Sequence, residues 1–415
     1  MTSQSTVFQL SGTCNNYGWG RKGRDSLAAR LCENSPGDFK IDDNEAYSEM
    51  WFGDYPDFPA RVLETGELLK DVLDRNKETL LGPKVVRDLD AQLPYLPKIL
   101  SIAKALPLQI HPNKSLASRL HEQDPEAFTD PNHKPEIAVA LGRFEVFAGF
   151  KPLDRIAPVF DNISALRRAF VPDGTSSSSS NWTDETLREV TRRILLADEA
   201  TVEEAARALA ETPREEFGDD DAYVADLLPR LQEQYGAGDP GTLVALLCMN
   251  FLTLGAGDAL YIPADGIHAY LSGDIVECMA RSNNVLNTGF CPPGDRANVD
   301  LFSKTLTFKA HAREDVLLPA EASPRGARGR TVVYPPPLRE FDMLKTDLDG
   351  DGGNGTEVIR AGEGPAVAIV TDGEGVLEAD GKRFDVKAGY IFFIAHGVEA
   401  NWETKGTMQI FTTVV

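Results

Sequence analysis

Residues 252–280 read LTLGAGDALYIPADGIHAYLSGDIVECMA. An apolar run, a Gly-Ala-Gly-Asp turn and the short run Ala-Leu-Tyr-Ile-Pro-Ala spell a strand, a turn and a short strand. Gly and Asp supply the turn, and side chains on either side of it alternate faces. The same grammar returns at residues 389–395, GYIFFIA, inside the hairpin-rich stretch 367–403. The echo predicts two related jelly-roll units, built from double-sheet Greek keys. Upstream, LPYLPKILSIAKALPLQIHP (93–112), EIAVAL (136–141) and RFEVFAGF (143–150) read as closely spaced strands with Gly and Pro between them, the pattern of a sandwich or barrel.

Between these β-rich stretches the periodicity changes. Residues 184–197, 201–211 and 220–235 carry apolar residues at three- and four-residue spacing among Glu and Arg, which predicts amphipathic helices. Thr201 with Glu204 has the form of a capping box, and Pro213 ends the second helix. Ahead of them, VPDGTSSSSSNWTDE (171–185) holds a five-serine run with too little apolar surface to order itself, and residues 70–93 form a polar, helix-friendly stretch. PRGARGRTVVYPPPLREF (324–341) reads as a linker. The expected fold is mainly β with an inserted α-helical domain: cupin-like jelly-roll barrels, two β units plus a helical block. Residues 1–154 and 251–325 form the catalytic unit, 155–250 the helical insertion and 326–415 the C-terminal jelly roll.

Composition narrows the partners. Hydrophobic residues are 42% and charged residues 26%, an ordinary soluble mixture, whereas 42 Lys+Arg against 64 Asp+Glu leave a net charge of −22. Such a surface repels phosphate backbones and anionic lipid, which argues against nucleic acid and membrane partners, and its dispersed charge is compatible with a monomer. The longest apolar run, Leu243 to Leu254, is broken by Asn250 and falls short of the ~20 residues that cross a bilayer. MTSQSTVFQL lacks the basic and apolar regions of a secretory signal, and five scattered cysteines without a CxxC pair point to a reducing compartment, so cytoplasm is the expected location.

Only six histidines are present. In LQIHPNK (108–114), Gln109 and His111 stand two apart on an expected strand and leave the same face. Glu136 opens the next strand, and His268 follows a Gly-containing turn. Two imidazoles, a carboxylate and an amide oxygen inside a barrel would suit a borderline divalent cation, with zinc the first choice. By spacing alone, a strand His beside Gln is more often a hydrogen-bonded core or surface residue. His121 (helical stretch), His133 (loop), His311 and His396 are read as structural.

LQIHPNK, NHKPEIAVAL (132–141) and YIPADGIHAYLSGDIVECMARSNNV (261–285) resemble the three signatures of the type I phosphomannose isomerases, in the right order. NNYGWG (15–20) and EAYSEMWFG (45–53) fit the same family, so the resemblance spans nearly the whole chain. It implies one zinc held by Gln109, His111, Glu136 and His268, and interconversion of mannose 6-phosphate and fructose 6-phosphate through an enediol, supplying GDP-mannose and glycans. It also implies site roles for Glu277 and Lys134 in catalysis, and for Trp19, Glu49, Lys98 and Tyr270 around the sugar. Glu277 is expected across a hairpin-like turn (LSGD) from His268.

The chain departs from the family after the third motif. SNNVLNTGFCPPGDR (282–296) places Asn287 where family members carry a catalytic Arg, and Pro293 where they carry a Lys; Pro107 stands for a common Ser. Lys98, Lys114, Lys134, Arg281, Arg296 and Lys304 lie near the motifs, and Arg281 or Arg296, the latter favoured, is expected to supply the missing charge to the phosphate. Another sugar, or a non-catalytic sugar-binding role, is the alternative that the substitution at Asn287 raises.

Overall fold

The computed structural model describes residues 5–175 and 182–415. The serine run 176–180 and the first four residues of the N-terminal segment lie outside them.

A ten-stranded antiparallel sheet is organised around one long strand, His268–Ala280. Its first residues pair with Phe144–Phe150 on one side and with Leu108–Ile110 on the other. Its second half pairs with Tyr95–Ile102 and with Glu136–Ala140, whose far side pairs with Ala259–Ile262. Glu49–Trp51 and Thr13–Asn15 extend the sheet beyond Tyr95–Ile102.

The expected hairpin at LSGD is not there. Residues 268–280 run on as a single strand, and the odd nine-residue spacing from His268 to Glu277 is absorbed by a register shift against Phe144–Phe150. An extra residue at such a bulge reverses which side chains face inward. Before it, Ala269 and Leu271 pack with the helices while Tyr270 faces inward; after it, Ile275 faces inward with Tyr270, and Val276 and Cys278 face the second sheet. The shift falls between Tyr270 and Ser272, and the next residue, Gly273, has a φ of +125°, where a Cβ would stand 2.6 Å from the Arg143 carbonyl oxygen.

The second, eleven-stranded sheet carries Thr331–Tyr334, Asp342–Asp349, Ala366–Ala379, Ile391–Ile394 and Thr407–Val414. Two details differ from the sequence reading. TVVY within the expected linker is a strand, registered Val333 to Leu344, because its β-branched residues find an open edge. The chain's first strand, Val7–Ser11, pairs with Ile391–Ile394 on one side and Arg61–Val62 on the other, and so belongs to the second sheet. The two sheets meet through one core containing Ile99, Ile137, Val139, Val276 and Cys278 from the first and Val367, Ile369, Phe393 and Phe411 from the second. Tyr95 crosses this boundary, donating its hydroxyl to the Pro365 oxygen at 3.1 Å.

The helices Leu153–Asn162, Ser164–Phe170, Asp184–Leu196, Glu199–Ala210, Tyr223–Tyr235 and Pro240–Cys248 pack on the outer face of the first sheet, sharing a core with Phe147, Ala269 and Leu271. The helix expected from Thr201 begins at Glu199, because Asp198 accepts from the Thr201 amide at 2.8 Å and so caps it two residues earlier. A capping box sits instead at Thr183 and Thr186. Among the described residues no helix is long and apolar enough to cross a membrane, and all five cysteines are free.

Gly273→Ala is expected to lower the unfolding free energy by about 1–3 kcal/mol through backbone strain at the bulge. Urea unfolding measures it, and a variant as stable as the parent would show that the bulge tolerates a side chain.

Candidate metal centre and cleft

The polar side chains are aligned by strand register. Gln109 is the ladder partner of His268 on one side and of Asn287 on the other, so the three share a face. One strand over, Trp51, Lys98, Glu277 and Ala138 are successive partners across four strands. The small Ala138 beside Glu277 leaves room above the carboxylate. Glu136 starts its strand, and His111 lies one residue past the end of Leu108–Ile110.

His111, Glu136 and His268 each offer a ligand atom within 4.8 Å of the others, and all three are buried, the two histidines at 0% exposure. His111 Nδ1 lies 2.8 Å from the Asn284 carbonyl oxygen and His268 Nδ1 3.0 Å from that of Gly266. A carbonyl only accepts, so each Nδ1 carries the proton and each Nε2 presents a lone pair. Those lone pairs face the Glu136 carboxylate, at 3.2 Å from Oε1 for His111 and 3.5 Å from Oε2 for His268. Both Nε2 atoms are buried with no hydrogen-bond donor. Three electron-rich groups pointing at one spot repel unless a cation lies between them, and an unsatisfied buried acceptor costs about 1–3 kcal/mol. Burial, reinforced by Lys134, draws His111 down to about 4, so this imidazole is neutral near neutral pH. The donor set fits a borderline divalent cation.

Charges around this centre are tightly matched. Lys134 Nζ is 3.1 Å from Glu136 Oε1, and the Tyr270 hydroxyl donates to Oε2 at 3.3 Å. Burial pushes Glu136 up, but the Lys134 charge opposes it and the carboxyl is held well below its ordinary range. Burial, then the Glu136 charge, push Glu277 well above that range. Lys98 sits 3.8 Å over the Trp51 ring and 3.8 Å from Glu49 Oε2, and burial draws its ammonium below its usual value. Glu49 accepts from Asn15 Nδ2 at 3.1 Å and from Trp51 Nε1.

A cleft of about 680 Å³ opens over these groups. It is lined by Gln109, Glu136, Lys134, Glu277, Lys98, Glu49, Trp19 and Asn287, all singled out in the sequence. Tyr270 is buried behind it, where it orients Glu136 rather than facing the opening. Arg281 and Arg296 are not brought to the cleft. Arg281 is buried against Asp54, with its guanidinium 5.3 Å from the Tyr55 ring centroid. Arg296 Nη2 donates to Asp239 Oδ2 at 2.8 Å, and the other Asp239 oxygen accepts from the amides of Gly241 and Phe290. Lys114 and Lys304 lie on helices away from the lining. His133 is a loop residue, as expected, with Nε2 2.8 Å from Glu340 Oε1; that hydrogen bond draws Glu340 down to about 2.

Sequence reasoning missed Asn15, Trp51, Lys104, Gln234 and Tyr235. Trp51 was detectable, since it stands two residues after Glu49 on one strand and shares its face. Gln234 and Tyr235 come from the end of a helix remote in sequence, and no local pattern marks them.

The family profile for phosphomannose isomerase type I, catalytic domain, matches residues 7–153. A mannose-6-phosphate isomerase of Candida glabrata is 35% identical over 432 residues, covering 100% of this chain and 98% of that protein. One from Saccharomyces cerevisiae is 32% identical over 423 residues, covering 98% and 97%. The chain belongs to the mannose-6-phosphate isomerase family. A zinc-bound crystal structure of mannose 6-phosphate isomerase superposes with a TM-score of 0.79 at 23% identity, covering 99% of this chain and 100% of that one. An apo form from Salmonella typhimurium gives 0.79 at 23% identity and the same coverage. The mannose-6-phosphate isomerase fold, cupin-like with large antiparallel sheets and helices, is thus shared at full length.

Elemental analysis of the purified protein is expected to find about one divalent ion per chain, lost in His268→Ala. His121→Ala is expected to keep it, because His121 binds only the Phe128 carbonyl through Nδ1. Retention of metal by His268→Ala would remove that side chain from the ligand set.

Proposed function

We propose that this chain is a zinc-dependent aldose–ketose isomerase interconverting mannose 6-phosphate and fructose 6-phosphate, supplying mannose for GDP-mannose and glycan synthesis. The carrying observation is the pair of orphaned histidine Nε2 atoms facing Glu136 at the base of a cleft that also holds Glu277 and Lys98. Gln109, His111, Glu136 and His268 are assigned to the zinc. Bound there, zinc supplies Lewis acidity that polarises the sugar carbonyl and acidifies the neighbouring C–H.

The side chains then divide the work. Glu277 takes the proton from carbon 2 of the aldose, and the carbonyl oxygen gains one, giving an enediol; the acid form of Glu277 returns its proton to carbon 1 while the oxygen on carbon 2 loses its own. Lys134 faces the same space and stabilises negative charge as it grows on the sugar oxygen. Lys98, held over Trp51 and beside Glu49, favours the ionised form of Glu277 and orients sugar hydroxyls. Trp19 offers an apolar wall to the sugar ring. Asn287 presents a buried carbonyl oxygen without a donor, suited to accept from a sugar hydroxyl where the family has its Arg.

The division into a catalytic unit (1–154 and 251–325), an inserted helical domain (155–250) and a C-terminal jelly roll (326–415) belongs to this proposal, with strand Val7–Ser11 shared with the last. So do two jelly-roll barrels, a monomer in the cytoplasm, and no nucleic-acid or membrane partner, which the charge of −22 supports.

Glu277→Gln is expected to keep its zinc and to lose turnover by about 10²–10⁴-fold in a coupled assay with mannose 6-phosphate. Full activity would place the base elsewhere. Chelation is expected to abolish activity and added zinc to restore it; zinc content without turnover in the parent would favour a binding protein.

A further inference from the structure

The reaction proposed above needs a cation for the phosphate, and the structure has given both expected arginines to buried aspartates. We propose that Lys104 anchors the phosphate group of the substrate. This rests on the isomerase reading for the identity of the sugar, but on the cleft alone for the anion.

Three cationic side chains line the cleft: Lys98, Lys104 and Lys134. Lys98 and Lys134 are buried and face Glu49 and Glu136 at 3.8 and 3.1 Å. The deep wall thus commits both of its ammonium groups to carboxylates and leaves neither free for a phosphate. Lys104 is different. It is exposed at the mouth, and among the described residues no carboxylate reaches its Nζ within ion-pair distance, Asp295 of the same lining included.

Its backbone is also fixed in place. The Ala103 and Lys104 amides both donate to the Trp19 carbonyl, at 2.9 and 3.1 Å, and the Leu106 amide donates to the Tyr270 carbonyl at 2.7 Å. From the other side, the Ala105 amide donates to Gln234 Oε1 at 3.1 Å and the Tyr235 hydroxyl donates to the Ala105 oxygen. Both of those residues end the helix Tyr223–Tyr235, which is fixed to the sheet from outside. The loop 103–106 is therefore clamped between the NNYGWG segment and the helical block. Only the Lys104 side chain is left to move, so binding a dianion orders one side chain and no backbone. With the carbonyl end of the sugar at the buried Glu136, the phosphate is left for the outer part of the same lining, where Lys104 is the exposed cation.

The test uses the zinc-loaded enzyme and glucitol 6-phosphate, a phosphorylated alditol that cannot isomerise, with unphosphorylated glucitol alongside. Calorimetric titration of Lys104→Ala is expected to show glucitol 6-phosphate binding weakened about 10–100-fold, the worth of one charge-assisted contact, with glucitol unaffected. In the coupled assay the same variant is expected to raise KM for mannose 6-phosphate by a like factor with kcat within a few-fold. Lys104→Arg should restore most of both, and Lys114→Ala should change neither. Binding of glucitol 6-phosphate by Lys104→Ala as tightly as by the parent overturns the anchor, and leaves the isomerase reading intact if the parent turns over. A parent that binds glucitol 6-phosphate through Lys104 but does not isomerise sustains the anchor and sinks the isomerase. A parent that binds no phosphorylated sugar overturns the anchor.

Discussion

A carboxylate almost wholly withdrawn from water must be surrounded by compensating charge, and Glu136, 2% exposed at the base of the cleft, imposes that demand on the molecule. Removing an ion from water costs several kcal/mol even after relaxation, so a buried Glu persists only among close donors and cations. Lys134 and Tyr270 meet part of the demand, at 3.1 and 3.3 Å. The two imidazoles do not, because their protons are committed to the Asn284 and Gly266 carbonyls. The backbone thus sets the tautomers, the tautomers aim two lone pairs at the carboxylate, and the remaining demand is for a metal ion. In metal sites the outer hydrogen bonds fix how each ligand points, and here those bonds are to main-chain oxygens that move only if the fold moves.

The sheet delivers these groups through a single irregularity. In an uninterrupted strand His268 and Glu277, nine residues apart, would point to opposite faces. The bulge between Tyr270 and Ser272 reverses the alternation, so one strand places a ligand at its start and an acid–base candidate near its end on the same side. The strand's other residues then pack outward, against helices before the bulge and against the second sheet after it. Core packing and site geometry are consequences of the same kink.

The remaining segments support the site from behind. The second sheet backs the first through a shared apolar core, and Glu340 from its approach holds His133, next to Lys134. The helical block does more than cover a face: the end of Tyr223–Tyr235 secures the loop carrying Lys104 and contributes Gln234 and Tyr235 to the cleft. In an acidic chain that handles an anion, Lys98, Lys104 and Lys134 share this one opening.

Much of this was legible in the residues. Short apolar runs bounded by Gly and Pro marked the elements at 95–102, 136–140, 144–150 and 391–394, and the shared face of Gln109 and His111 was read from two-residue spacing, since period 2 is a local property of extended chain. What lay beyond reach was decided between segments far apart. The sequence offered LSGD as a hairpin, because a turn signal and a bulge signal use the same glycine, and only pairing with Phe144–Phe150 selects the bulge. It left TVVY in a linker, because a lone four-residue strand is stabilised only by an open sheet edge. It offered Arg281 and Arg296 for the phosphate, because charge can be counted along a chain while ion-pair partners cannot; Asp54 and Asp239, 227 and 57 positions away, claim them only once the chain has folded. Local chemistry wrote the ligands and the strands, and long-range packing chose which charges remain free to meet a substrate.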